Sequence, residues 1–298
     1  MHNARTWLVA VRPVSFTASI IPVLVGTAIA AQDEFHPLLF LLALAGSVAI
    51  HAGTNLVNDY FDHIKGTDNE ESLGQSGVIQ RGALSASAVL AGGICAFGAG
   101  AVIGLAIAAM TGWPVLALGV ASVAAGYFYT ASPFSLAYRG LGEVVVFIFM
   151  GPVIVLGAYY VQVQSWGWAP FVASLPIGLL VAAILHANNV RDIENDRRNG
   201  KWTLAALAGR PLADYEFVAL VLAGYAVVVL MTVAGAAPWP VLITLLSAPL
   251  AVKLVRLEAS QRSVRGLNAV LAQTAGLHML FGALLAFGFA LAVWTGVA

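Results

Sequence analysis

Nine apolar stretches, each close to the length that crosses a bilayer as a helix, constrain this chain more than any other feature of its sequence. A transmembrane helix needs about 20 mostly apolar residues. Only 9% of the 298 residues are charged, against about 25% in soluble domains. The sequence therefore predicts an all-α, polytopic protein with nine transmembrane helices in a lipid bilayer. Their expected limits are 14–31, 37–60, 86–110, 112–130, 141–162, 170–190, 214–235, 238–254 and 269–296.

The basic residues predict the orientation of these helices. The connections expected on one side of the bilayer hold all 14 Lys and Arg residues. The opposite connections hold Asp33 and Glu34 but no basic residue. Because basic residues concentrate in cytoplasmic connections, we expect a cytoplasmic N-terminus. The basic connections are 1–13, 61–85, 131–140, 191–213 and 255–268, the last extended slightly to include Lys253.

Charge and cysteine content exclude other classes of protein. The net charge is zero, and the basic residues form no tract of the kind that binds nucleic acid. Cys95 is the single cysteine, so no intramolecular disulfide can form. Nothing in the sequence predicts a protein partner.

Two acidic stretches lie at the cytoplasmic ends of the second and sixth predicted helices. Asn58 and Asp62 are four residues apart, as are Asp192 and Asp196. Residues at this spacing share one face of a helix and present their oxygens side by side. An unpaired charge at membrane depth costs about 2.5–3.5 kcal/mol or more, so it normally has a partner or a task. Magnesium favours carboxylate oxygens and is usually completed by substrate phosphates, so the stretches predict a magnesium–diphosphate site.

The two stretches also suggest how the chain is organised. We expect a single transmembrane domain over residues 1–298. The acidic stretches lie about 130 residues apart, which suggests two four-helix halves, roughly 1–130 and 131–256, followed by a ninth helix over 269–296. The identity between the halves is too weak to prove a repeat. The long polar connections 61–85 and 191–213 are expected to cover a cytoplasmic pocket.

Such a site can ionise an allylic diphosphate, because magnesium neutralises the charge that grows on the leaving group. The resulting carbocation must be kept from water, and aromatic faces can both exclude water and stabilise positive charge. Tyr60, Tyr127 and Tyr129 are candidates for this role. His51, His63 and His186, which lie near the motifs, are interpreted as polar residues satisfied at helix interfaces.

At this point the residues resemble a known family. Asn58-Asp59-x-x-Asp62 and Asp192-x-x-x-Asp196 are similar to the signatures NDxxDxxxD and DxxxD of the UbiA superfamily of intramembrane aromatic prenyltransferases. That resemblance implies nine helices around a central cavity. Gly66 stands where the first signature ends in Asp, and Asp68 follows two residues later.

Four further blocks resemble the branch of this superfamily that prenylates 1,4-dihydroxy-2-naphthoate. The blocks are NDYFDHIKGTD from Asn58, YTASPFSLAYRGLGE from Tyr129, GPVIVLGAYYVQ from Gly151 and NNVRDIENDRRNGKWTL from Asn188. The resemblance implies transfer of a polyprenyl group from its diphosphate to the naphthoate ring with loss of the carboxylate, giving demethylmenaquinone. It also implies a bacterial cytoplasmic membrane with the active site facing the cytoplasm.

The resemblance assigns roles residue by residue. It implies Asp62, Asp192 and Asp196 as catalytic residues and Mg2+ as the cofactor. Metal ligands would be Asn58, Asp62, Asp68, Asp192 and Asp196. Diphosphate ligands would be Lys65, Arg139, Arg191 and Lys201. The polyprenyl tail implies a cavity that opens sideways to lipid.

Two alternatives remain open on the sequence. A prenyltransferase for another aromatic acceptor, such as 4-hydroxybenzoate, would use the same metal chemistry. A membrane transporter with acidic ion sites is more remote, because transporter sites usually lie near the bilayer midplane on broken helices. The acidic stretches here lie at one membrane face beside long connections.

Overall fold

The structure, a computed structural model, describes residues 4–69, 76–261 and 263–297. Within these ranges the chain forms nine long apolar helices, as the hydropathy predicts. Eight are long enough to cross a membrane, and the fourth is an apolar helix of 16 residues. The chain is a multi-pass membrane protein. In chain order the helices are α1 Pro13–Ala30, α2 Pro37–Ile64, α3 Ala86–Thr111, α4 Trp113–Phe128, α5 Gly142–Val163, α6 Trp168–Arg198, α7 Arg210–Val233, α8 Trp239–Ser260 and α9 Val264–Thr295.

Local sequence explains where several helices begin. Pro13, Pro37 and Pro240 occupy first-turn positions, where a missing N–H costs no hydrogen bond. Ser85 and Ser263 cap α3 and α9, each accepting a backbone N–H three residues on. Such caps satisfy donors that would otherwise lack a partner.

Three helices extend by at least four residues beyond their predicted ends. α2 continues to Ile64, α6 to Arg198 and α8 to Ser260, so 61–64, 191–198 and 255–260, which were expected in connections, are helical. A helix satisfies its own backbone hydrogen bonds, and a polar stretch at the membrane surface can therefore prolong it. Both acidic stretches consequently lie on rigid helices.

The apolar core lies mainly among α1, α6, α7 and α9. Phe217, Phe281 and Phe289 are its largest buried side chains. In contrast, α4 contains no buried residue, because part of its surface faces a cavity and part faces outward. The side of the bundle formed by α1, α6, α7 and α9 is therefore closely packed, whereas the side that includes α4 borders the cavity.

Short elements cover one end of the bundle. We call this the basic end, defined by the connections α2–α3, α4–α5, α6–α7 and α8–α9. It carries a 3-10 helix at Leu136–Arg139 and a short helix at Leu204–Ala208. The side chain of Asn195 on α6 donates to the carbonyl of Thr67, and the backbone N–H of Trp202 donates to the carbonyl of Tyr138. The first bond joins α6 to the α2–α3 connection, and the second joins the α6–α7 connection to the α4–α5 connection.

Candidate active site

A cavity of about 1280 Å3 runs from the basic end into the bundle. Its polar mouth is lined by Arg12, Asn58, Asp62, Asp68, Asn188, Arg191, Asp192 and Lys201. Its deeper walls are mainly apolar and include Gly104, Leu105, Leu116, Gly119 and Val120. Three of these wall residues, Leu105, Leu116 and Val120, are also exposed. The cavity therefore combines a charged mouth with an apolar interior that reaches the side of the bundle.

The two acidic motifs meet at Lys201. Its Nζ lies 3.6 Å from Oδ2 of Asp62 on α2 and 3.9 Å from Oδ1 of Asp196 on α6. Burial by itself would lower the pKa of Lys201, but attraction by Asp62, Asp196, Asp68 and Asp192 outweighs it and raises that pKa above its usual value. The ammonium is thus attracted by four carboxylates, two from each of the acidic stretches that lie about 130 residues apart in the sequence.

Asp68 folds back onto the first motif. Its backbone N–H donates to the carbonyl of Asp62 at 3.1 Å. Burial, together with repulsion from Asp62, raises the pKa of Asp68 to about 7. Neighbouring carboxylates repel one another unless a cation lies among them. The connection after α2 therefore delivers Asp68 to the mouth despite its offset from the family signature.

Tyr138 organises the space between Lys65 and Lys201. Its hydroxyl donates to Oδ1 of Asp62 at 2.7 Å and contacts the hydroxyl of Thr67. The Nζ atoms of Lys65 and Lys201 lie 4.1 Å and 5.4 Å from the centre of its ring, within the range of cation–π attraction. Tyr138 thus orients an acidic residue of the mouth and holds two cations beside it.

Arg191 and Asn58 are also held in defined positions. Arg191 donates twice to the carboxylate of Asp192 and, at 2.8 Å, to Oδ1 of Asn268 on α9. Asn58 accepts a bond of 2.9 Å from the hydroxyl of Thr130. A bidentate arginine–carboxylate pair fixes orientation as well as charge. These contacts join α6 to α9 and α2 to the connection after α4.

Asp59, the second residue of the first motif, has a role different from that of Asn58 and Asp62. Its carboxylate pairs with Arg12 and accepts from the hydroxyl of Ser76. Asp59 does not line the cavity. We therefore interpret it as a brace that holds the N-terminal segment and the α2–α3 connection against the end of α2.

Most of this chain matches one known family. Residues 19–271 match the family model described as the UbiA prenyltransferase family. The chain belongs to this family. The resemblance seen in its motifs is thereby confirmed, and so is its assignment as a membrane-embedded prenyltransferase.

Curated relatives cover nearly the whole UbiA-family chain. It is 35% identical to a protein of Bacillus subtilis over 93% of this chain and 89% of the relative. It is 36% identical to one of Mycobacterium tuberculosis over 97% of this chain and 99% of that one. Both relatives are named 1,4-dihydroxy-2-naphthoate octaprenyltransferase.

Solved structures share the fold. A UbiA homologue from Aeropyrum pernix superposes with a TM-score of 0.70 at 17% identity, covering 90% of this chain and 96% of that chain. A UbiA homologue from Archaeoglobus fulgidus, solved with GPP and Mg2+, gives a TM-score of 0.63 at 15% identity, covering 94% of this chain and 99% of that chain. The arrangement of nine helices around a cavity is the UbiA fold.

Several predicted residues of this UbiA-family protein do not line the cavity. Asp196 is buried and reaches the site only through its contact with Lys201. Lys65 donates to the Thr130 carbonyl and the Ser135 hydroxyl, and Arg139 donates to the carbonyl of Pro133. Tyr60 lies two residues from both Asn58 and Asp62, a spacing that turns it to another face of α2, where it contacts Phe61. By contrast, Tyr127 and Tyr129 do line the cavity.

The sequence motifs missed Tyr138 and Asn268. Tyr138 lies beside Arg139 in one of the blocks that carry the family resemblance, which was the available signal. Asn268 lies near the start of α9 with no motif around it, and only its bond to Arg191 connects it with the mouth.

Proposed function

We propose that this protein transfers a polyprenyl group from its diphosphate to 1,4-dihydroxy-2-naphthoate, using Mg2+. The carbon–oxygen bond of the donor breaks, a carbon–carbon bond to the ring forms, and the carboxylate leaves as carbon dioxide. The products are demethylmenaquinone in its quinol form and diphosphate. The names of the curated relatives support the acceptor. The observation that carries the proposal is the meeting of both acidic motifs around Lys201 at the mouth of an apolar cavity.

The donor atoms at the mouth fit a hard divalent cation. Asn58, Asp62, Asp68 and Asp192 line the mouth and offer oxygen, which Mg2+ prefers. Asp196, buried beside Lys201, is proposed as a fifth ligand. Burial, together with repulsion from Asp62, raises the pKa of Asp68, as expected for a carboxylate held beside another acid without a metal ion. The Archaeoglobus homologue solved with Mg2+ and GPP supports the same type of ion. When bound, magnesium would neutralise the charge that develops on the departing diphosphate.

The basic residues at the mouth are the proposed diphosphate ligands. Lys201 and Arg191 line the cavity beside the carboxylates, so their donors can contact both the motifs and an anion. Lys65 and Arg139 lie on the connections around the mouth and are proposed as outer ligands. A phosphate group bound here would be attracted by several positive charges at once.

The interior protects the intermediate and holds the tail. Tyr127 and Tyr129 face the cavity just below the mouth, where their rings can stabilise an allylic cation and exclude water. The exposed wall residues Leu105 and Val120 support a sideways opening through which a long tail reaches lipid. The distribution of Lys and Arg supports a cytoplasmic mouth and N-terminus.

The proposal predicts that metal binding depends on pH. Because the pKa of Asp68 is raised to about 7 in the metal-free protein, an ion must displace a proton below that pH. Mg2+ affinity should fall by a factor of about ten or more for each pH unit below 7 and level off above it. Calorimetric titration of the detergent-solubilised protein with Mg2+ measures this slope. Asp68→Asn should make this slope shallower, whereas a slope that is unchanged in that variant would contradict the assignment.

Product analysis tests the reaction itself. Purified protein is incubated with a polyprenyl diphosphate, Mg2+ and either 1,4-dihydroxy-2-naphthoate or 4-hydroxybenzoate in separate tubes. Mass spectrometry should detect a prenylated, decarboxylated naphthoquinol in the first tube only. Product from 4-hydroxybenzoate alone would support the proposed metal chemistry but contradict the proposed acceptor. Absence of product from both would overturn the proposal.

A further inference from the structure

A second group of ionisable side chains lies behind the cavity wall. Glu143 on α5, His186 on α6 and Glu216 on α7 place three ligand-type atoms within 4.8 Å of one another. Nδ1 of His186 lies 3.1 Å from Oε1 of Glu143 and 3.7 Å from Oε1 of Glu216. None of the three lines the cavity. The group is therefore separate from the acidic mouth.

The hydrogen bonds of His186 determine the tautomer of its ring, and therefore whether the nitrogen near the carboxylates carries a hydrogen or a lone pair. Nε2 lies 2.9 Å from the carbonyl oxygen of Ala213. A carbonyl can only accept, so Nε2 carries a hydrogen. In the neutral ring Nδ1 then has no hydrogen, and its lone pair points at two carboxylates. That arrangement is repulsive unless a cation lies among the three atoms.

The charge balance favours a divalent cation over a single proton. No Arg or Lys forms an ion pair with Glu143 or Glu216 in the parts of the chain that the structure describes. A proton on His186 would leave one net negative charge inside membrane-spanning helices, where charge is costly. A divalent ion would balance both carboxylates.

The surroundings resemble those of a metal ligand set. The bond from His186 Nε2 to a backbone carbonyl is the usual outer contact of a metal-binding histidine. Asn189 donates to Oε1 of Glu143 at 2.8 Å, while Oε2 of Glu143 is buried without a partner. Ligand atoms that lie about 2.0–2.2 Å from a tetrahedral ion are about 3.3–3.6 Å apart, and the two measured separations bracket this range.

We propose that Glu143, His186 and Glu216 form a binding site for a divalent transition-series cation of the zinc type. An imidazole with carboxylates suits such ions, whereas Mg2+ prefers oxygen alone. The site joins α5, α6 and α7. Asn189 both lines the cavity and bonds to Glu143. Because Asn189 connects Glu143 to the cavity wall, binding of the ion also stabilises the position of Asn189 in that wall.

Zinc binding to the detergent-solubilised full chain tests the proposal. The protein is equilibrated with Zn2+ in the presence of excess Mg2+, dialysed, and its zinc content measured by elemental mass spectrometry. We expect one equivalent of zinc in the wild type and a rise in Tm of about 5 °C, since an ion that binds only the folded state stabilises it. Glu216→Gln and His186→Gln should both retain no zinc at this site and show no rise in Tm with Zn2+. Glu216 is the more informative position because its side chain is 30% exposed and tolerates substitution better.

Two control variants separate this site from others. Asp192→Asn alters the acidic mouth and should keep the zinc equivalent. Glu194→Gln removes a carboxylate that is 82% exposed on the same helix and should also keep it. Substitution of Co2+ should give absorption bands that Glu216→Gln changes. The proposal is overturned if the wild type retains no zinc, if Glu216→Gln retains as much as the wild type, or if Asp192→Asn loses it.

Discussion

Replacing Asp62 or Asp192 with asparagine is expected to lower kcat for prenyl transfer by about 1,000-fold or more, because each loses a charge that would bind the metal. Asparagine keeps the shape of aspartate and one carbonyl oxygen. Asn at position 62 could still accept the bond that Tyr138 donates to Asp62. The fold should therefore persist while the site loses part of its negative charge.

Steady-state kinetics with the long-chain donor measure the loss, and Mg2+ titration shows whether affinity falls with it. Glu194→Gln is the matched control, since it removes a carboxylate from the same helix but on an exposed surface. It should retain activity within about twofold of the wild type. Activity within tenfold of the wild type in both Asp62→Asn and Asp192→Asn would contradict their assignment as metal ligands.

The helices and the acidic motifs could be predicted from the sequence because their signals are local. A run of about 20 apolar residues favours a spanning helix whatever surrounds it. Spacing of four residues predicts a shared face for Asn58 and Asp62. The helix ends were less predictable, because the polar last turns of α2 and α6 carry no hydropathy signal.

The direction of each basic side chain could not be predicted in the same way. Lys65 and Lys201 both follow an acidic helix, yet of the two only Lys201 lies within 4 Å of carboxylate oxygens. The chain reverses after α6 at Gly200, which has a φ of +69°. The N–H of Lys201 then donates to the Asp196 carbonyl at 2.8 Å. This turn brings Lys201 back to its own motif, whereas Lys65 is drawn to Thr130 and Ser135.

The group formed by Glu143, His186 and Glu216 was beyond sequence reasoning for another reason. Its members come from three helices and belong to no shared motif. His186 alone reads as a polar residue at a helix interface. Only the packing of α5, α6 and α7 brings the two carboxylates to the same ring nitrogen.

The depth of the cavity should set the length of the prenyl tail, and two glycines allow this to be tested. Gly104 on α3 and Gly119 on α4 both line the cavity. A Cβ atom added at either position would meet nothing within 4 Å. A phenylalanine there can thus enter the cavity without displacing the backbone, and it would occupy space that a long tail needs.

Gly104→Phe and Gly119→Phe are expected to lower kcat/KM for a long polyprenyl diphosphate by about 100-fold, while a two-isoprene donor keeps its value within about threefold. Parallel assays with donors of increasing length locate the cut-off. Gly98→Phe is the matched control, because Gly98 lies on the same helix as Gly104, has equally open space at its Cβ, and does not line the cavity. It should leave all donors unaffected. Equal losses for short and long donors in the two cavity variants would show that the tail does not occupy this part of the cavity, since a steric block acts only on the donors that reach it.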